Sequence, residues 1–149
     1  MRAVVQRSGQ ASVVIDGGVV GAITSGVVVL VAVAPEDTDG EARWLADKVA
    51  NLRIFSDEEG KMNRSLLEAG GEALVVSQFT LYGDARKGRR PSFIRAAQGE
   101  EAHRLYERVI AEFGALGVTC ASGEFGADMK VSLVNDGPVT ILLDSDKGF

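Results

Sequence analysis

One cysteine, one histidine and three prolines occur in 149 residues, and each scarcity removes a class of protein. Cys120 has no partner for a disulfide framework, and Cys120 with His103 cannot make the His/Cys cluster of a zinc site. A metal would need an all-carboxylate site, which the acidic residues do not suggest, so no cofactor is expected. The longest apolar run, Val27 to Ala34, is too short to cross a bilayer, and Met1-Arg2-Ala3-Val4 lacks the layout of a signal peptide. A cytoplasmic protein with no membrane partner is expected. No glycine fingerprint of a nucleotide-binding parallel sheet is present, and no Gly-x-Ser-x-Gly elbow surrounds any serine. A hydrolase with its own nucleophile needs a base beside it. Here no base is evident for Thr80, and Cys120 lies in the apolar stretch Val118-Thr119-Cys120-Ala121, where a free thiol is usually a small buried hydrophobe.

What is present is an ordinary single domain, residues 1–149, with 46% apolar and 25% charged residues, a balance that excludes a disordered chain. The net charge of −5 opposes nucleic-acid binding and leaves DNA unexpected as a partner, because phosphate contacts carry most non-specific affinity. Local charge runs the other way. Arg86, Lys87, Arg89 and Arg90 gather four cations around Gly88, which reads either as a solvated loop or as a phosphate-contacting one.

The first third reads as strands: Ala3 to Arg7, Ala11 to Ile15 after a break at Ser8-Gly9, Val19 to Ile23 after the turn Asp16-Gly17-Gly18, and Val27 to Val33. The last is apolar on both faces and should be central or covered on both sides. Pro35 closes it. Thr38 with Glu41 forms a capping box for a helix whose apolar positions are Ala42, Leu45, Ala46, Val49 and Leu52, with Trp44 beside the stripe as a packing residue. Ser56 to Gly71 reads as a loop or short hairpin, and Glu72 to Phe79 as a strand. Pro91-Ser92 suggests a short helical turn. Gly99 opens a helix with the apolar face Ala102, Leu105, Tyr106, Val109, Ile110 and Phe113, ended by Gly114 and Gly117, with His103 facing solvent. Val118 to Ala121, Met129 to Val134 and Val139 to Leu143 complete the strands, the last two joined by Asn135-Asp136-Gly137-Pro138 read as a turn. A mixed α/β arrangement is expected.

Two segments stand apart: Ser77-Gln78-Phe79-Thr80 at a strand end, and Gly137-Pro138-Val139-Thr140. Both put small, hydroxylated or ring-locked residues where a core prefers bulky ones. Together, and from Met1-Arg2-Ala3-Val4-Val5-Gln6-Arg7 nearly to the C-terminus, the chain resembles the D-aminoacyl-tRNA deacylase family, whose two hallmark motifs are Ser-Gln-Phe-Thr and Gly-Pro-Val-Thr. Both are intact here. The resemblance implies a curved, barrel-like mixed β-sheet flanked by two main helices and assembled as a homodimer with active sites at the interface. It implies hydrolysis of D-aminoacyl-tRNA and of glycine mischarged on tRNA, without cofactor and with the help of the substrate's own 2′-OH.

Residue by residue, the resemblance makes Ser77, Gln78, Phe79 and Thr80 the catalytic floor of the pocket, with backbone N–H groups near Phe79 and Thr80 as oxyanion or positioning donors. Phe125 and Met129 match positions lining the pocket for the terminal adenosine, although ordinary strand packing accounts for them equally well from the residues alone. Gly137 and Pro138 match a Gly-cisPro motif that enters the partner subunit's pocket and rejects L-amino acids, and Arg7 a position that supports that motif. The run Arg86, Lys87, Arg89 and Arg90 becomes a candidate contact for the tRNA backbone. Two rivals stand beside this reading: a non-catalytic binder of aminoacyl-tRNA or a nucleotide, and a small-molecule esterase using Thr80.

Overall fold

In the computed structural model, which describes residues 1–149, strand β1 runs unbroken from Arg2 to Ile15. The break expected at Ser8-Gly9 is instead a site of irregular pairing. Residues 2–8 of β1 pair antiparallel with β3 (Gly26–Ala32), residues 11–15 pair with β2 (Gly18–Ile23), and β8 (Lys130–Asp144) pairs along both halves. A strand has two hydrogen-bonding edges, so β2 and β3 share one edge of β1 and β8 takes the other. Ser8 is buried and its hydroxyl donates to Val134 O at 3.0 Å, so the polar residue that suggested a break is satisfied within the sheet.

From β3 the sheet continues in parallel to β6 (Glu72–Ser77) and then β7 (Cys120–Ser122), which comes round to meet β2. That seam is tight. A Cβ on Gly21 would lie 2.3 Å from the carbonyl oxygen of Ser122, so β2 and β7 touch backbone to backbone and nearly close a small mixed barrel. The Asp16-Gly17 turn into β2 has φ of 49° and 80°, the left-handed pair a tight hairpin requires.

Two helices cover one face. The capping box forms as expected: Thr38 Oγ1 accepts from Gly40 N–H, Glu41 accepts from Thr38 N–H, and α1 spans Asp39–Asn51 with Leu52 as its C-cap residue. Helix α3 spans Gly99–Ala115, so Gly114 lies inside it and the chain turns at Gly117 with φ 88°. The main core packs Ala42, Leu45 and Val49 of α1 and Leu105, Val109 and Phe113 of α3 against Ala3, Val5, Val27, Val29 and Val31 of the sheet. Val28 points to the other side, into a smaller cluster with Val13, Ile23, Leu74 and Val76 inside the barrel. Hence β3 is apolar on both faces, as its sequence required.

Three further expectations are corrected. The stretch from Ser56 to Gly71 holds a hairpin, β4 (Phe55–Ser56) with β5 (Met62–Arg64), but also a four-residue helix α2 (Leu66–Ala69) with its own Ser65/Glu68 capping box. Pro91-Ser92 starts no helical turn, because Ser92 exchanges backbone bonds with Asp84 at 2.9 and 2.8 Å across the base of the basic loop. Asn135-Asp136-Gly137-Pro138 joins no hairpin. It lies within the single strand β8, and from Asn135 to Thr140 that strand takes five residue steps where β1 takes two from Gln6 to Ser8. The surplus cannot pair and bulges outward.

Gly21→Ala is expected to destabilise the protein by about 1–3 kcal/mol through overpacking of the β2–β7 seam. Gly18→Ala, where the nearest atom to the new Cβ is 3.7 Å away, serves as a near-neutral control. Urea midpoints of the two variants check this.

Candidate active site

The parallel strands β3 and β6 end side by side, and the chain leaving β6 turns at once into a 3₁₀ turn, Phe79–Tyr82. Beyond the strand ends lies a cavity of about 490 Å³. Ser77, Gln78 and Phe79 form one side, Gln98, Gly99, Ala102 and Tyr106 at the start of α3 another, and Phe125 and Met129 a third. Thus three segments that are distant in the chain meet in one cavity. Thr80 does not line it: this exposed residue accepts a hydrogen bond from Gln78 Nε2 through its hydroxyl.

No lining residue carries a charge at neutral pH. Tyr106 is the one titratable group among them, with its pKa pushed up to about 12 by burial and its hydroxyl donating to Val75 O at 2.8 Å. The polar atoms on offer are therefore main-chain and neutral side-chain groups. In the 3₁₀ turn the first bond runs from Leu81 N–H to Gln78 O at 3.2 Å, so the N–H groups of Phe79 and Thr80 have no acceptor within the turn. The α3 N-terminus is likewise uncapped by any side chain at Gln98. Such groups can hold a carbonyl oxygen as it gains negative charge.

Gly137 and Pro138 do not line this cavity. They sit exposed on the β8 bulge, joined by a cis peptide bond. Asn135 brackets the bulge, its Oδ1 accepting from Val139 N–H at 2.7 Å and its amide donating to Val139 O at 3.3 Å. Arg7, the β1 residue opposite the surplus, donates to Asp136 O at 2.7 Å and to Ile54 O at 2.6 Å, which ties the bulge to the segment before β4. Gly137 has φ 151°, and a Cβ there would meet Val139 N at 2.8 Å and Arg7 Nη2 at 3.1 Å, so only glycine fits.

The four cations of the basic loop divide. Arg86 is bound to Asp84 through two nitrogens, which holds that carboxyl well below the usual carboxylate range, whereas Lys87, Arg89 and Arg90 are exposed and make no ion pair. The edge-to-face contact of Phe79 with Phe93, 5.2 Å between centroids, links the cavity floor to the segment after this loop. Sequence reasoning missed Tyr106, read as core, and Gln98 and Gly99. The helix start at Gly99 was legible, but its placement over the strand ends was not.

The motif segments and this cavity sit in a chain that the model of D-Tyr-tRNA(Tyr) deacylase matches over residues 4–144. The chain belongs to that deacylase family. A D-aminoacyl-tRNA deacylase of Roseiflexus castenholzii is 61% identical over 145 residues, covering 97% of this chain and 92% of its own. That of Symbiobacterium thermophilum is 58% identical over 149 residues, covering all of this chain and 99% of its own. Among solved structures, a c-Myc DNA unwinding element binding protein superposes with a TM-score of 0.91 at 40% identity, covering 97% of this chain and 99% of its own. As a deacylase-family hydrolase the chain is expected to work without its cysteine. Cys120 lies outside the cavity, and burial pushes its thiol up to about 11, so little thiolate exists at neutral pH. Cys120→Ala should keep full hydrolytic activity, and iodoacetamide should not inhibit; inactivation by alkylation of the folded protein would contradict this.

Proposed function

We propose that this protein hydrolyses the ester of D-aminoacyl-tRNA to free amino acid and tRNA, in the cytoplasm and as a homodimer. The observation that carries the reading is the cavity itself: the Ser77-Gln78-Phe79 floor, leading into a turn whose first N–H groups have no acceptor within it, and no charged side chain within the lining. An ester can be cleaved there if the substrate supplies the hydroxyl that assists attack. The 3′ aminoacyl ester of a terminal adenosine has such a group in its vicinal 2′-OH. Positioning can contribute roughly 7–11 kcal/mol in favourable cases, and one oxyanion donor about 3–4 kcal/mol. Those contributions suffice without a triad.

In this reading Ser77, Gln78 and Phe79 position the ester, Thr80 acts behind them through its hydrogen bond with Gln78, and Phe125 and Met129 hold the terminal adenosine. Gly137-Pro138 of each subunit enters the partner's cavity. The exposed position of the bulge supports this, as do the exposed apolar residues Val131, Val134 and Leu142 along β8, which a second copy would cover. Main-chain atoms of Gly137 and Pro138 then lie where an L side chain would project. Every L residue collides, D side chains point elsewhere, and glycine has nothing to collide. A pocket shaped to particular side chains could not do this, since a methylene changes binding by only about 1–3 kcal/mol and would sort amino acids by size.

Deacylation rates on D-Tyr-, L-Tyr- and Gly-charged tRNA test the proposal. Fast turnover of the D and glycyl forms with sparing of the L form is expected, and comparable D and L rates would refute a steric chiral filter. Thr80→Ala should retain measurable activity, whereas tRNA ending in 2′-deoxyadenosine should be nearly inert. A dead but folded alanine variant together with normal turnover of the deoxy substrate would assign the chemistry to Thr80.

In the same reading Lys87, Arg89 and Arg90, exposed and without an ion pair, meet the tRNA backbone. Their neutralisation should reduce the log–log salt slope of tRNA binding by roughly 0.7–0.9 for each phosphate left without its cation. Arg86→Ala, already paired with Asp84, should change the slope least. Chiral preference should not move in any of these variants.

A further inference from the structure

Phe125 sits on the loop between β7 and β8, a segment with few main-chain bonds: Gly123 N–H to Val75 O at 3.3 Å, Ala127 N–H to Glu124 O at 3.2 Å, and a left-handed Gly126 at φ 79°. Helix α3 holds the ring instead. The imidazole of His103 lies parallel to it, 8° between planes and 4.7 Å between centroids, and Tyr106 meets it at 5.8 Å and 43°. Residues three apart project from one helical face, so the two bracket the ring together.

The two are not equivalent. Tyr106 is buried, bonded to Val75 O, and lines the cavity itself. The His103 side chain is 52% exposed, faces the Glu107 carboxylate at 3.4 Å, and does not line the cavity. It reaches the cavity through Phe125.

We propose that His103 is a positioning residue for nucleobase recognition: by stacking on one face of Phe125 it holds that ring as the wall against which the terminal adenine of the substrate packs. The proposal rests on the adenosine-pocket reading of Phe125 and Met129. A ring on a lightly tethered loop must otherwise be ordered when the substrate binds, and stacking on the imidazole removes that cost in advance. The effect falls on binding, which is equal in ground and transition states, and so on KM rather than kcat.

Steady-state deacylation of D-Tyr-tRNA by His103→Ala, His103→Phe, Phe125→Ala and the His103→Ala/Phe125→Ala pair tests it. His103→Ala should raise KM roughly three- to tenfold, the range of a stacked aromatic pair, with kcat within about twofold. His103→Phe keeps a flat ring and should restore KM. Adding His103→Ala to Phe125→Ala should change nothing further, because the residue acts only through the ring. A silent His103→Ala, a failure of His103→Phe to restore KM, or additive effects in the pair would overturn the positioning role while leaving the adenosine pocket standing. An unchanged KM for Phe125→Ala would instead overturn the adenosine-pocket reading and this proposal with it.

Discussion

Strand β1 is paired along both edges over most of its length, with β8 beside both halves on one side and with β3 and then β2 on the other. A strand in that position has few backbone groups to spare for water, so irregularity falls on its partners. It does so in two ways. The two halves of β1 serve different neighbours, which lets the sheet curl until β7 meets β2 at Gly21. And the residues of β8 that exceed the length of β1 are driven out of the ladder as the Asp136–Val139 bulge. The barrel and the projecting Gly137-Pro138 pair therefore share one cause.

The same pairing supplies the anchor for the bulge. Arg7 is the β1 residue left opposite the surplus, and its guanidinium donates to Asp136 O from one nitrogen and to Ile54 O from another. A lysine could not span both acceptors with fixed geometry. Asn135 closes the base of the bulge through its side-chain amide. Side chains thus take over where the ladder stops, which is how a long bulge can be held in one shape.

The cavity lies where parallel β3 and β6 end, and its chemistry follows from what surrounds it. The sheet and α3 contribute apolar walls, and the charged groups lie elsewhere, in surface ion pairs such as Arg104 with Asp39 and Glu101 or in the cluster of Met1, Asp37, Arg2 and Asp144. What remains in the lining is neutral: Ser77, Gln78 and Gln98 are its polar side chains, beside the phenol of Tyr106. In such surroundings fixed dipoles act with less screening than in water. A site of this kind favours positioning and charge stabilisation over proton transfer by its own side chains.

Local chemistry by itself determined much of this protein. The Thr38/Glu41 capping box, the apolar spacing of α1 and α3, the Asp16-Gly17 hairpin and the two-faced apolarity of β3 are all written in short-range patterns, and each formed as read. The two motifs were legible as well, because small and ring-locked residues interrupt patterns that otherwise serve a core. Where short-range reading failed, a partner in another part of the chain decided the outcome. Ser8-Gly9 reads as a break until Val134 O takes the serine hydroxyl, Pro91-Ser92 as a helical turn until Asp84 claims the backbone of Ser92, and Asn-Asp-Gly-Pro as a hairpin until β1 pairs with the residues on both sides of it. Likewise Tyr106 and His103 carry no local sign that α3 would set one in the cavity wall and lay the other on Phe125. Propensity and capping act over a few residues, whereas register, bulges and cavity walls depend on which segments meet, and only the tertiary structure settles that.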